Sequence, residues 1–475
     1  MKNSTVQRVL QRTAYAALFG FAAASPMTAS AAVGDPLGPS VRVPTDPVFE
    51  QGSAQIARAA NGAYAVVWSQ PSDNPDGSRS TNIFARAFAA DGTPQSDAFE
   101  VNQSYVGSLL SPRIAMDAAG DFIVVWSDLD PSSSKMQLFG RRFDAGGAPL
   151  GDEFAVTSSE SRIGSYAVAM APDGRFVVLI ERLSQLSASL GVVALGSSTF
   201  TVQRYDADGS RHGLPILAGG RPALEISVPL GVPSSLPPFL ILGTNAGAPA
   251  VAMDTAGDFV IVWAATSALG VVHGGGFVAT SETDAVSTYL PATHTVYARH
   301  YSAAGVPTTL LPMVVDSVYT TNGAYDAAYV FAPRVAMESD GDFVVVWQRA
   351  HTTWQIMLRR YVDDAPQSPI EVSGGIDSAT VAVSDNGQSV VVWRQGVPDS
   401  DGSYVSRAMA RVFDENSTPL TGPLVVDATQ SGAQTLPGVG ADALGNFVVD
   451  WDNTTPTGEP GTYQTTVYAR RFSGS

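Results

Sequence analysis

The sequence predicts an all-β fold: a seven-bladed β-propeller of four-stranded antiparallel blades, closed by an N-terminal strand that completes blade 7. Three observations lead there. One pattern recurs seven times along the chain. Each copy reads as four short strands, the second apolar on both faces, and the last copy lacks its fourth strand while the start of the chain carries a spare one.

The clearest copy runs Arg113-Ile-Ala-Met-Asp-Ala-Ala-Gly120, then Asp121-Phe-Ile-Val-Val-Trp126, Leu138-Phe-Gly-Arg-Arg-Phe143, Asp144-Ala-Gly-Gly147 and Glu153-Phe-Ala-Val156. Its Trp recurs as Trp68, Trp263, Trp347, Trp393 and Trp451, with Ile180 in the third copy, so six of the seven tryptophans belong to the pattern. Its Arg recurs as Arg86, Arg299, Arg359, Arg411 and Arg470, with Gln203 the one departure, always two residues before Phe or Tyr.

Strand A is the Val-Ala-Met type of segment, whose small Ala suits the crowded innermost position. Turns such as Asp254-Thr-Ala-Gly257 supply the Asx and Gly conformations that a tight hairpin needs. Strand B, Phe-Val-Val-Val-Trp, must be covered on both faces. Strand C alternates aromatic residues and the Arg with aliphatic ones, and the Arg reads as a hydrogen-bonding or Trp-stacking element between blades rather than a ligand-binding group. Strand D follows a second turn, as in Phe154-Ala-Val156. Seven such units buried on both faces pack face to face around an axis. The segment Pro36-Leu-Gly-Pro-Ser-Val-Arg-Val43 matches Pro149–Val156 and Pro419–Val426, the fourth strands of copies two and six. It is therefore expected to close the ring and remove the open sheet edges.

The Gly-Asp-Phe-Val-Val-Val-Trp and Arg-Arg-Phe/Tyr-Asp-x-x-Gly strings resemble the repeats of large secreted bacterial proteins, often found beside adhesin or hemolysin-type calcium-binding modules. The resemblance implies an extracellular propeller-like repeat and no defined activity. The Gly-Gly-x-Gly-x-Asp calcium nonapeptide of those neighbouring modules is absent.

Residues 1–31 carry Lys2, Arg8 and Arg12, no acid, the apolar run Ala14 to Ala24 and then Ala29-Ser-Ala31. This reads as a secretory signal peptide cut before Ala32, leaving residues 32–475 as one propeller domain, secreted or periplasmic. No later stretch offers about 20 uninterrupted apolar residues. The net charge of −17 becomes −20 without the leader. Such a surface argues against nucleic acid and direct membrane insertion. With no Cys there are neither disulfides nor thiolate metal sites.

In an up-and-down blade the A–B and C–D turns lie at one end, and the B–C and D–A connections at the other. The first pair is short throughout. The second varies: the Trp-to-Arg interval is 36 residues from Trp263 to Arg299 but 12 from Trp347 to Arg359, and the longest excursions belong to blades 3 and 4, near 217–247 and 264–295. Variable loops on a constant scaffold are where binding usually sits. Within them Phe239, His273, Glu282, Asp284, Tyr289 and His294 are the candidate ligand-binding residues, and the runs 224–230 and 237–242 are expected to form a hairpin flap.

No catalytic residue and no metal site are assigned. His273-Gly-Gly-Gly276 resembles an esterase oxyanion-hole string but lacks a Gly-x-Ser-x-Gly elbow. The spacing of His273, Glu282, Asp284 and His294 matches no zinc pattern. Asp-rich turns such as Asp206-Ala-Asp-Gly209 are candidates for calcium, although tight-turn chemistry explains them without an ion. The expected function is a non-catalytic exported propeller that binds a protein or glycan partner through its variable end. The alternative is an extracellular polysaccharide hydrolase or lyase using loop carboxylates at the propeller mouth.

Overall fold

The computed structural model describes residues 31–475 except 46–50, 74–76, 78, 105–107, 131–134, 159–162, 184–186, 190–191, 196–197, 222–223, 228–246, 269–291, 321–328, 352, 375–376, 399–403 and 460. Among the described residues there is no helix, and the strands form seven antiparallel blades. Blade 2 shows the plan: strands A to D are Ser108–Met116, Phe122–Asp130, Lys135–Phe143 and Phe154–Ala155, each paired with the next. Of residues 1–31, expected to be a signal peptide, 1–30 lie outside the described residues.

The strand A segments line the axis. Their A–B turns converge from all seven blades on one cavity of about 140 Å3, bordered by Ala59, Asp117, Pro172, Asp254, Glu338, Ser384 and Asp442 among others. Each strand B is buried on both faces, as in Phe122 to Trp126, and its alternate side chains feed the two neighbouring blade interfaces. Among the described residues, packing is thus continuous around the axis.

Two signature residues find their reasons here. The Asp of Gly-Asp-Phe ties the two turns of its own blade: Asp121 accepts from Ala145 N–H at 3.0 Å, and Asp258 from Ala303 N–H at 2.7 Å. The repeated Arg ties neighbouring blades. Arg86, Arg141, Arg359, Arg411 and Arg470 donate through Nη1 to the carbonyls of Val43, Val101, Val315, Val372 and Val426, at 2.6 to 3.0 Å, each on the outer edge of the preceding blade. Four of these guanidinium groups also lie 5.3 to 5.7 Å from the ring two residues on. A half-buried cation thus meets both a carbonyl and a π face.

Blade 7 is built from Ala433–Ala441, Phe447–Pro456, Tyr463–Phe472 and, outermost, Val41–Arg42. Val41 pairs with Ala469 and Arg42 with Tyr468, while Pro36 bridges Phe472 as Pro149 bridges Phe143 and Pro419 bridges Phe413. The N-terminal segment therefore occupies the register that its sequence match to copies two and six requires. Val43 is fully buried, and its carbonyl accepts Arg86 of blade 1, so the clasp reaches both sides of the closing seam.

Candidate functional site

Strand polarity sets the chemistry of the two ends. The A–B and C–D turns are tight, with Gly at positive φ, for example Gly120 at 98° and Gly147 at 86°. At the opposite end strands B and C of several blades run on as long ribbons, to Asp73 and Arg79 in blade 1 and to Pro398 and Tyr404 in blade 6. There the B–C connection of blade 3 forms a small sheet with its D–A connection: Ser187–Ser189 pairs with Val192–Leu195, which pairs with Leu224–Ser227. Segment 224–227 of the expected flap therefore lies against the B–C connection, while 237–242 falls outside the described residues.

Four aromatic side chains are exposed among the described residues, and all sit at this variable end. Trp354, Tyr404 and Tyr463 open strand C of blades 5, 6 and 7, and are 50%, 76% and 65% exposed. Tyr319, 54% exposed, is next to last in strand D of blade 4, Met313–Thr320. Trp354 is braced edge-on by Phe331 at 5.5 Å. Large exposed apolar residues at the turn end, such as Leu150, Leu310 and Leu444, are aliphatic. An aromatic rim on four successive blades offers flat apolar surface with polar tips, which suits stacking on sugar rings or anchoring a protein partner.

Phe239, His273, Glu282, Asp284 and Tyr289 lie outside the described residues. His294 is described, and its placement differs from the expected loop: it belongs to strand C of blade 4, Ala292–Tyr301, because that ribbon continues to Ala268 and Ala292. Its ring is 7% exposed, 2.9 Å from Thr266 Oγ1 and 4.6 Å from the Tyr329 ring. Burial pushes its pKa down to about 4, so it is neutral at pH 7. Sequence reasoning passed over the aromatic rim, yet a signal was there. Trp354 is the one Trp outside the repeat, and Tyr404 and Tyr463 begin the corresponding strand in the next two copies.

The polar groups nearer the axis serve the scaffold. Asp117 Oδ1 accepts from the N–H groups of Ala119, Gly120 and Asp121, closing its turn, and burial raises its pKa. Asp442 pairs with Arg58 at 2.8 Å, and Glu338 with Arg360. Among the described residues no group of three or more His, Asp or Glu could hold a metal ion, and the Asp206 turn bonds Gly209 and His212. Arg113 and Arg334, on strand A of blades 2 and 5, interact across the ring. Burial first, then the Arg113 charge, lowers Arg334 to about 10.

One departure from the repeat concerns carboxylates. Asp450 occupies the strand B position held by Val67, Val125, Val262, Val346 and Val392 in other copies. It is fully buried, and neither carboxylate oxygen closes a hydrogen bond of good geometry. Burial, with a smaller push from Asp452, raises its pKa to about 8, which the N–H groups of Gly438 and Asp450 itself offset only partly. Asp452, two residues on and 4% exposed, is raised by burial to about 7, although its Oδ2 accepts from Ser53 N–H at 3.0 Å. The pair is closed inside the seam between blades 7 and 1.

No family model and no curated protein matches the sequence. Solved structures similar to the chain include a protein of unknown function from Dyadobacter fermentans, 12% identical, covering 92% of this chain and 98% of that one with a TM-score of 0.45. Another is the polysaccharide lyase Uly1, 7% identical, covering 90% of each chain with a TM-score of 0.46. A third is the Penicillium chrysogenum α-L-arabinanase in complex with arabinobiose, 11% identical, covering 76% of this chain and 92% of that one with a TM-score of 0.38.

Proposed function

We propose that this chain is an exported, non-catalytic propeller that binds a macromolecule, a glycan or a protein, through its variable end. The observation that carries the reading is the aromatic rim: Tyr319, Trp354, Tyr404 and Tyr463 are exposed on blades 4 to 7 at the end where the connections vary. Exposed aromatic side chains give large contact area for little conformational entropy, and Trp and Tyr dominate binding hot spots. The basic and apolar leader supports export. The hydrolase or lyase alternative needs two carboxylates flanking a substrate in a cleft, whereas the most strongly shifted pair described, Asp450 and Asp452, is sealed from solvent.

The test is a screen of residues 32–475 against glycans and surface proteins, beside a polysaccharide-degradation assay. Trp354→Ala with Tyr404→Ala should weaken the captured partner by about tenfold or more at an unchanged melting temperature, since each hot-spot truncation costs more than about 1 kcal/mol. Wild-type binding by that double variant would move the site off the rim. Turnover of a polysaccharide would replace the reading with the enzyme. Trimming 268–290 in parallel measures what the blade 4 insertion adds.

A further inference from the structure

The third copy departs from the repeat at two anchor positions, and both departures face one cavity. Ile180 stands where the other six copies carry Trp, and Gln203 where they carry Arg. In an intact junction the Trp packs with the outer edge of the preceding blade and the Arg bonds its carbonyl, as Trp126 and Arg141 do around Val101. Two smaller side chains withdraw that bulk from the seam between blades 2 and 3. A cavity of about 220 Å3 remains, lined by Val156, Ile180, Arg182, Thr201, Gln203 and Arg211, among others.

The seam has kept its clamp by moving it. Arg211, on strand D of blade 3, donates through Nη2 to the carbonyls of Ala155 and Val156, both at 3.0 Å, which is where the repeated Arg would bond. It is exposed, so the displaced clamp stands at the solvent side of the cavity. Inside, Val156 and Ile180 are 4% and 2% exposed and form an apolar floor. Arg182 bonds Thr201 Oγ1, and Gln203, 3% exposed, bonds the Gly213 carbonyl. The cavity thus combines two guanidinium groups, a hydroxyl, an amide and an apolar base.

We propose that this seam binds a small organic carboxylate of about the size of a single sugar acid. Guanidinium forks match carboxylate geometry and carry five donors each, so a group that already serves a carbonyl can serve a second acceptor. The floor requires a carbon body, which an inorganic oxyanion lacks, and the exposed Arg211 guanidinium at the mouth favours an anion over a neutral sugar. The volume lies below the roughly 300 to 1,000 Å3 of drug-sized sites, which suits one small ring. This site lies between blades 2 and 3 and does not depend on the aromatic rim of blades 4 to 7.

The experiment is calorimetric titration of the folded protein with glucuronate, glucose, inorganic phosphate and a glucuronate-terminated oligosaccharide. Saturable binding of a glucuronate form is expected, at least about tenfold tighter than glucose or phosphate and weakened by salt. The relative affinity of the free acid and the oligosaccharide identifies the source, and either order supports the site. Ile180→Trp with Gln203→Arg restores the repeat and refills the seam. That variant should melt no lower than wild type and bind glucuronate at least about tenfold more weakly. Thr201→Leu, a strand C change that narrows the half-buried wall and removes the acceptor of Arg182, should weaken binding in the same way if the double variant does not fold. Asp97→Ala, an exposed change on blade 1, should leave it unchanged. No saturable glucuronate binding, equal binding of phosphate or glucose, full binding by a folded refilled variant, or loss in Asp97→Ala would each overturn the proposal.

Discussion

Arg359 holds the Val315 carbonyl at 2.6 Å from the next blade, and its removal leaves that buried acceptor unpaired. Arg359→Ala should therefore cost about 1 to 3 kcal/mol, whereas the exposed Asp97→Ala should cost far less. Equal losses on denaturant titration would show the clamp to be energetically idle. Asp450 and Asp452 work against the fold as pH rises. The ordinary Asp value is 3.8 and theirs are about 8 and about 7, so the native state holds protons that the unfolded chain has released. Their contribution to stability is full below the ordinary value and is lost as pH rises through 7 and 8. Replacing Asp450 by the Val of the other copies should raise the melting temperature, most of all near about pH 9, and flatten its decline from about pH 5. An unchanged pH slope in Asp450→Val would place that titration elsewhere.

Strand A carries a device that the repeat pattern does not announce. Ser53, Ser111, Ala332 and Leu436 adopt φ of 57°, 53°, 49° and 50°, each where the pairing with strand B slips register. These bulges turn backbone groups outward for a neighbour to use. Tyr166 of blade 3 donates to the Leu110 and Ser111 carbonyls, and Asp452 of blade 7 takes the Ser53 N–H. A left-handed L-residue costs roughly 1 to 2 kcal/mol, while Gly in an ordinary strand costs roughly 0.5 to 1 through lost entropy. Ser111→Gly should thus match or slightly exceed wild-type stability, and Ala115→Gly, in the regular part of the same strand, should fall below it. Equal destabilisation of both, measured by urea unfolding, would mean that the bulge carries no strain.

Closure belongs to the whole molecule. The segment around Val41–Arg42 pairs with the last strand, supplies the Val43 carbonyl to Arg86 and the Gly38 carbonyl to Arg470, and covers the outer edge of blade 7. Deleting residues 32–45 removes all of these at once and exposes an unpaired edge. The truncated protein should melt at a lower temperature and self-associate, because an open edge pairs with another chain. A monomer with the wild-type melting temperature would show that the seam between blades 7 and 1 holds without the clasp.

Blade number, strand order and the clasp were legible along the chain because each is periodic or is the completion of a period. A Trp every blade, an Arg two residues before an aromatic, and a Pro-Leu-Gly segment without a partner strand are local patterns that survive being written in one dimension. The aromatic rim was half legible, since Trp354 stood outside the repeat, but its exposure beside Tyr404 and Tyr463 needed the blades placed side by side. His294 was read as a loop residue because nothing in its neighbourhood shows how far a ribbon of strands B and C runs before it opens. The sites that matter at the seams required the ring itself. Ile180 and Gln203 are 23 positions apart and Arg211 comes from another strand, so their common cavity exists only after blade 3 has packed on blade 2. The burial of Asp450 is likewise a property of two blades meeting across the closure, since desolvation depends on what covers a side chain and not on its place in the sequence.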